Sequence, residues 1–192
     1  MTHEELFVAI DKIAREQSEK FGQPAPYYYN IGVEKAEMLA KNTGADVWLC
    51  KIGAILMDIK LGDCMANKCV PEHIQKSAEF AEKILTELEV DEKTKQILLD
   101  CVKCHHGIKD KTYPCIEAEV VANADCYRFL TFAGTYGNIL FANSLGLDQN
   151  QNIDFCINKI EEKFSVLSLK KAKDDLTENY IKLKKFLNSC KI

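Results

Sequence analysis

No segment of this chain alternates polar and apolar residues over the length of a strand, and that missing pattern removes sheet-based architectures from consideration. Proline is scarce too, with 4 residues in 192, and glycine numbers 9, so little in the sequence interrupts helices. No apolar run is long enough to cross a bilayer. Excess charge of one sign is also missing: a formal net charge of -4 provides no field for nucleic acid or an anionic membrane. The opening residues carry Glu4, Glu5, Asp11, Glu16 and Glu19 where a secretory leader would place basic and then apolar side chains. The expected location is therefore the cytoplasm. Neither an internal repeat nor a linker-like composition divides the chain, so 1-192 is expected to form a single domain.

What the chain has in quantity is apolar residues, 47% of the total, enough to bury a core without metals or disulfides. Its 9 cysteines are expected to be free thiols, because no leader directs the chain to an oxidising compartment. Cys50, Cys101 and Cys126 fall within apolar helical patterns, where a thiol behaves as a small hydrophobe.

Thr2 to Glu5 fits a capping box, and Leu6, Phe7, Ile10 and Ile13 then recur at helical spacing up to Phe21-Gly22. After Pro24 and Pro26, Tyr28, Gly32, Ala36, Leu39 and Ala40 share one face of a second helix. Asp46 caps a third that runs to about Ile59. Leu61 to Val70 reads as a loop, and Pro71 suits the first turn of a fourth helix whose inner face is Ala78, Ala81, Ile84 and Leu85. Asp91 caps a fifth, with Ile97, Leu98, Cys101 and His105 on one stripe. A polar turn covers Gly107 through Pro114, and Val120, Val121, Ala124 and Phe129 mark the next helix. Beyond Phe132 lies a Gly-interrupted segment. Then come a helix near Ile153 to Phe164 and a last one that Ser168 caps, with Tyr180, Leu183, Phe186 and Leu187 inside. The fold class is all-α.

Asp58 closes the apolar run Gly53-Ala54-Ile55-Leu56-Met57, and a carboxylate there needs a partner. Gly44-Ala45-Asp46 precedes it by a helix length; His73, then Cys104-His105-His106, Glu117-Ala118 and Ala124-Asp125 follow. In order and spacing, from about 28 to 130, this series resembles the HD superfamily of metal-dependent phosphohydrolases, with 133-192 as further C-terminal helices.

The resemblance implies a helical HD-like bundle acting on a phosphate ester of a nucleotide or similar small metabolite. It implies a divalent ion, Zn, Mn, Fe or Mg, held by Asp58, His73, His105 and Asp125, with His106 as the alternative ligand of the adjacent pair. Asp58 and Asp125 take the catalytic positions. Tyr28, Lys60 and Lys109 are the candidates for substrate contact, and Lys103 is a further cation nearby. Two positions depart from the pattern, since Tyr28 and Met57 stand where the family places its first two His. A phenol is a poor ligand at neutral pH and a thioether is too soft for these ions. Expected turnover on generic phosphate esters is therefore low, and replacing both residues by His is expected to raise metal occupancy.

The same residues carry plainer readings. His105 on an apolar stripe can be a hydrogen-bonded core histidine, His73 an exposed first-turn residue, and Asp58 and Asp125 helix-end carboxylates paired with Lys60 or Arg128. Two other functions stay open: a non-catalytic HD-fold binding or scaffold protein, and a Cys-based metal or redox module in which Cys101, Cys104 and a third thiol such as Cys115 converge.

Overall fold

In the computed structural model, residues 1–191 are described, and among them helices and turns account for the whole secondary structure. The α-helices are α1 (His3–Phe21), α2 (Pro26–Thr43), α3 (Val47–Leu56), α4 (Leu61–Ala66), α5 (His73–Glu87), α6 (Glu92–Cys104), α7 (Ile116–Leu130), α8 (Phe132–Ser144), α9 (Gln149–Ser165) and α10 (Lys170–Ser189). A short 3-10 turn, Val70–Glu72, leads into α5. The capping signals read from the sequence hold: Thr2 and Glu5 form a capping box, and Asp46 and Asp91 accept from the backbone N–H groups of Leu49 and Thr94.

Helix α3 is apolar on nearly every side and is buried from Leu49 to Leu56 apart from Lys51, as a helix at the centre of a bundle must be. Helix α7 is buried almost all round as well. One core lies where α1, α5 and α6 pack on α3, through Ile10, Ile52, Ile55, Leu85 and Leu98. A second joins α2 and α7 to α9 and α10 through Leu39, Val120, Leu130, Ile160 and Leu183. Between them sits a small cluster of Met57, Cys101, Ala118 and Val121. Asp58 and Asp125 therefore lie deep between two apolar masses.

Four sequence expectations need correction. Helix α3 stops at Leu56, so Asp58 lies in the turn that follows it. Within the span read as a loop, 61–66 is helix α4; its Gly62 lies so near α1 that an added Cβ would come 2.6 Å from the carbonyl oxygen of Gln23. The segment beyond Phe132 is helix α8, whose Gly134 and Gly137 lie hard against Arg128's carbonyl and the Tyr27 ring. The N-cap residue of α10 is Leu169, not Ser168. There the Asn123 side chain of α7 supplies the missing acceptor, at 3.0 and 3.1 Å from the N–H groups of Ser168 and Leu169.

Candidate functional site

The turn after α3 presents Asp58, the start of α5 presents His73, the end of α6 presents His105 and His106, and α7 presents Asp125 and Arg128. Asp58, His73, His105 and Asp125 are all buried, and they converge. His73 Nε2 and His105 Nε2 each lie 3.5 Å from Asp58 Oδ1. Both imidazoles are turned by the backbone: Nδ1 of His73 is 2.7 Å from the Val70 carbonyl oxygen, and Nδ1 of His105 is 2.7 Å from that of Val102. A carbonyl only accepts, so each Nδ1 carries its proton. A neutral ring then directs a bare lone pair from Nε2 toward the carboxylate.

His106 completes a triangle of rings. Its centroid is 4.4 Å from that of His105 and 5.1 Å from that of His73, and one nitrogen from each of the three rings lies within 4.8 Å of the others. Burial pushes His73 and His106 below the ordinary histidine value, outweighing the attraction of Asp58 for the first and of Asp125 for the second. No cysteine belongs to this group, and among the described residues no three thiols approach in the same way. Cys101 is fully buried against Gly53 and Val121 and beside the Cys115 thiol, with Cys104 packed on the same cluster.

The other side of Asp58 is chemically different. Arg128 Nη1 lies 2.7 Å from Asp58 Oδ2 and 3.0 Å from Asp125 Oδ1, while Lys163 Nζ of α9 lies 2.6 Å from Asp125 Oδ2. Three of the four carboxylate oxygens thus already face a cation. Burial alone would raise both carboxyls; the Arg128 charge, with the histidines, holds Asp58 well below the usual carboxylate range, and Lys163 with Arg128 holds Asp125 down at about 2. The same pairing keeps the buried Arg128 and Lys163 charged.

Tyr28 and Met57 border this side. Tyr28 gives its hydroxyl proton to the Gly134 carbonyl oxygen at 2.8 Å, away from the carboxylates, and its ring centroid lies 5.3 Å from the Arg128 guanidinium carbon. Met57 Cε and Arg128 Cδ both approach Gly32, where an added Cβ would meet them at 3.4 and 3.5 Å. Tyr28 and Met57 do not fill this space alone; the Arg128 guanidinium shares it.

These donors decide how well a divalent ion fits. The Asp58–Asp125 side does not fit one, because Arg128 and Lys163 compensate the carboxylates and neither Tyr28 nor Met57 is a suitable ligand. The imidazole side fits: Asp58 Oδ1, His73 Nε2 and His105 Nε2 face one another, His105 Nε2 has no hydrogen-bond partner among the described residues, and His106 is beside them.

A cavity of about 530 Å³ opens onto this cluster, with Asp58, His73, His106 and Arg128 in its lining and Tyr27, Phe129, Phe141 and Phe155 supplying much of the wall. Tyr28 lines it, but Lys60 and Lys109 do not. Lys60 Nζ is instead 2.6 Å from Asp63, and Lys103 lies on a separate depression of α5 and α6. The lysine that does reach the cavity is Lys159. Sequence reading named Arg128 only as one of two possible partners and missed Lys163. The available signal was that Lys163 continues the buried stripe Ile153, Cys156, Ile160 of α9, where a lysine must meet a carboxylate.

This helical arrangement is shared with a protein of known structure. A solved structure of a predicted HD superfamily hydrolase from an uncultured Thermotogales bacterium aligns over 98% of this chain and 97% of its own, with a TM-score of 0.67 and 16% sequence identity. Likeness at that identity concerns the fold. No protein-family model matches the chain, and no curated protein matches it by sequence.

Proposed function

We propose that this chain is an HD-fold hydrolase-like protein with one divalent ion, held by Asp58, His73, His105 and His106, acting on a small phosphate ester in the adjoining cavity. One observation carries the reading: the Nε2 atoms of His73 and His105 each lie 3.5 Å from the same carboxylate oxygen, Asp58 Oδ1, and a divalent cation stabilises that convergence when the rings are neutral. An ion bound there supplies Lewis-acid polarisation of an ester oxygen or water. The Val70 and Val102 carbonyls orient the ligating rings, as outer-shell acceptors commonly do. Arg128 holds the second oxygen of Asp58 and so takes the charge role that another ion would have on the Asp125 side.

A second reading, a non-catalytic HD-fold binding protein, is favoured by Arg128 and Lys163 themselves, since a centre that already balances its carboxylates has less need of metal. Elemental analysis of purified protein, followed by Zn(II) and Mn(II) titration, separates the two. The first reading expects one ion per chain, lost in His73→Ala, together with slow metal-dependent hydrolysis of p-nitrophenyl phosphate. Absence of any bound ion, in protein whose fold is intact by circular dichroism, overturns it in favour of the second.

A further inference from the structure

Two pairs of cysteines lie close together, Cys101 with Cys115 and Cys64 with Cys69, and the second is built into a turn away from the histidines. Helix α4 ends with Lys68 in the left-handed region at φ 56, the Cys69 N–H donates to the Cys64 carbonyl oxygen at 2.8 Å and the Lys68 N–H to that of Met65 at 3.2 Å. This pair of bonds is a Schellman motif, and it brings the side chains at its two ends together. Here both ends are cysteines. Standard bond lengths, the trigonal angle at the carbonyl carbon and the 2.8 Å hydrogen bond limit the separation of the two Cα atoms to about 6.7 Å, inside the range a disulfide spans.

The two thiols lie close enough to perturb one another and are not equivalent. Cys64 is fully buried, and burial raises its thiol to about 11. Cys69 is partly exposed and lies beside the Lys76 ammonium, one turn into α5. A partly exposed sulfur beside a lysine is placed to react first, and a buried neighbour in contact with it is placed to resolve the product.

We infer that Cys64 and Cys69 form a reversible dithiol–disulfide pair whose oxidant is hydrogen peroxide. In the first step the Cys69 thiolate attacks one peroxide oxygen, the O–O bond breaks, and Cys69 becomes a sulfenic acid as hydroxide leaves and takes up a proton. In the second, Cys64 sulfur attacks the sulfenic sulfur, forming the S–S bond and releasing water. Sulfur is oxidised by two electrons, peroxide is reduced to two waters, and a dithiol reductant reverses the result. The bond would close the turn that leads directly into Val70, whose carbonyl orients His73.

The test uses the reduced full-length chain, stoichiometric hydrogen peroxide and peptide mapping by mass spectrometry. Wild type is expected to lose two hydrogens, with the cross-link mapping to Cys64 and Cys69 and reversed by dithiothreitol. Cys64→Ala should stop at a sulfenic acid on Cys69 that dimedone traps, and Lys76→Met should slow the reaction severalfold. A cross-link mapping to other cysteines, or Cys69 reacting no faster than the remaining thiols of wild type, overturns the inference. Because the mapping is done on wild type, it does not depend on whether a variant folds.

Discussion

At the scale of single residues, Arg128 decides what the site can be. One guanidinium nitrogen serves Asp58 and Asp125 at once, and all three side chains are nearly inaccessible, so deleting it leaves two buried carboxylates with too little compensation. Arg128→Ala is expected to destabilise the fold by about 3–5 kcal/mol in chemical denaturation, the usual consequence of removing one partner of a buried pair. The same geometry revises the expectation that restoring two histidines restores a metal. Tyr28→His with Met57→His is expected to leave the bound-metal count unchanged, since the guanidinium still holds the carboxylates. Adding Arg128→Met to that pair should raise the count by one ion, measured by elemental analysis. No rise in the triple variant would mean that the space around Gly32 and Met57 has closed beyond recovery. Spacing alone made Asp58, His73, His105 and Asp125 legible in the sequence, because each stands at the end or on the inner stripe of a helix. The compensating Lys163 was not, because it arrives from α9, remote in sequence from the carboxylates it serves.

Among the elements, glycines mark where reading from sequence went astray. Gly62, Gly134 and Gly137 lie inside or at the start of short helices, where their composition reads as interruption, yet each is a point of close approach to a neighbouring element. Long helices with strong apolar stripes and side-chain caps, such as α1 and α6, were legible because their local signals agree with their tertiary role. Gly53 shows which effect prevails. Replacing a helical glycine by alanine ordinarily gains roughly 0.5–1 kcal/mol from backbone entropy. Here an added Cβ would lie 2.7 Å from Cys101 Cβ and 2.9 Å from Val121 Cγ2, so α3 would be forced away from both α6 and α7. Overpacking of this kind costs about 1–3 kcal/mol. Gly53→Ala is therefore expected to lower the thermal midpoint; an unchanged or raised midpoint would show that these helices separate at little cost.

Across the whole molecule, charge buried between two apolar cores ties the stability of the fold to pH. The histidines and the aspartates act in the same direction but over different ranges. Burial lowers His73 and His106 below their ordinary value of 6.5, so as pH falls through that value the unfolded chain takes up protons that the folded chain refuses. Stability must then fall. Asp58 and Asp125 are held below 3.8, the latter at about 2. Their contribution is complete above 3.8 and is lost as pH drops toward the folded values, again because the unfolded state binds protons first. Denaturation midpoints measured from pH 8 to pH 3 without added metal should therefore decline in two stages, a shallow one beginning near 6.5 and a steeper one below about 4. His106→Gln should flatten the first stage and leave the second. Zn(II) should steepen the first, because protons compete with the ion for the same imidazole nitrogens. A single decline confined to the acid range would mean that the imidazoles carry protons in the folded state, with Asp58 Oδ1 as their acceptor, and the argument for a metal drawn from converging lone pairs would fail with it.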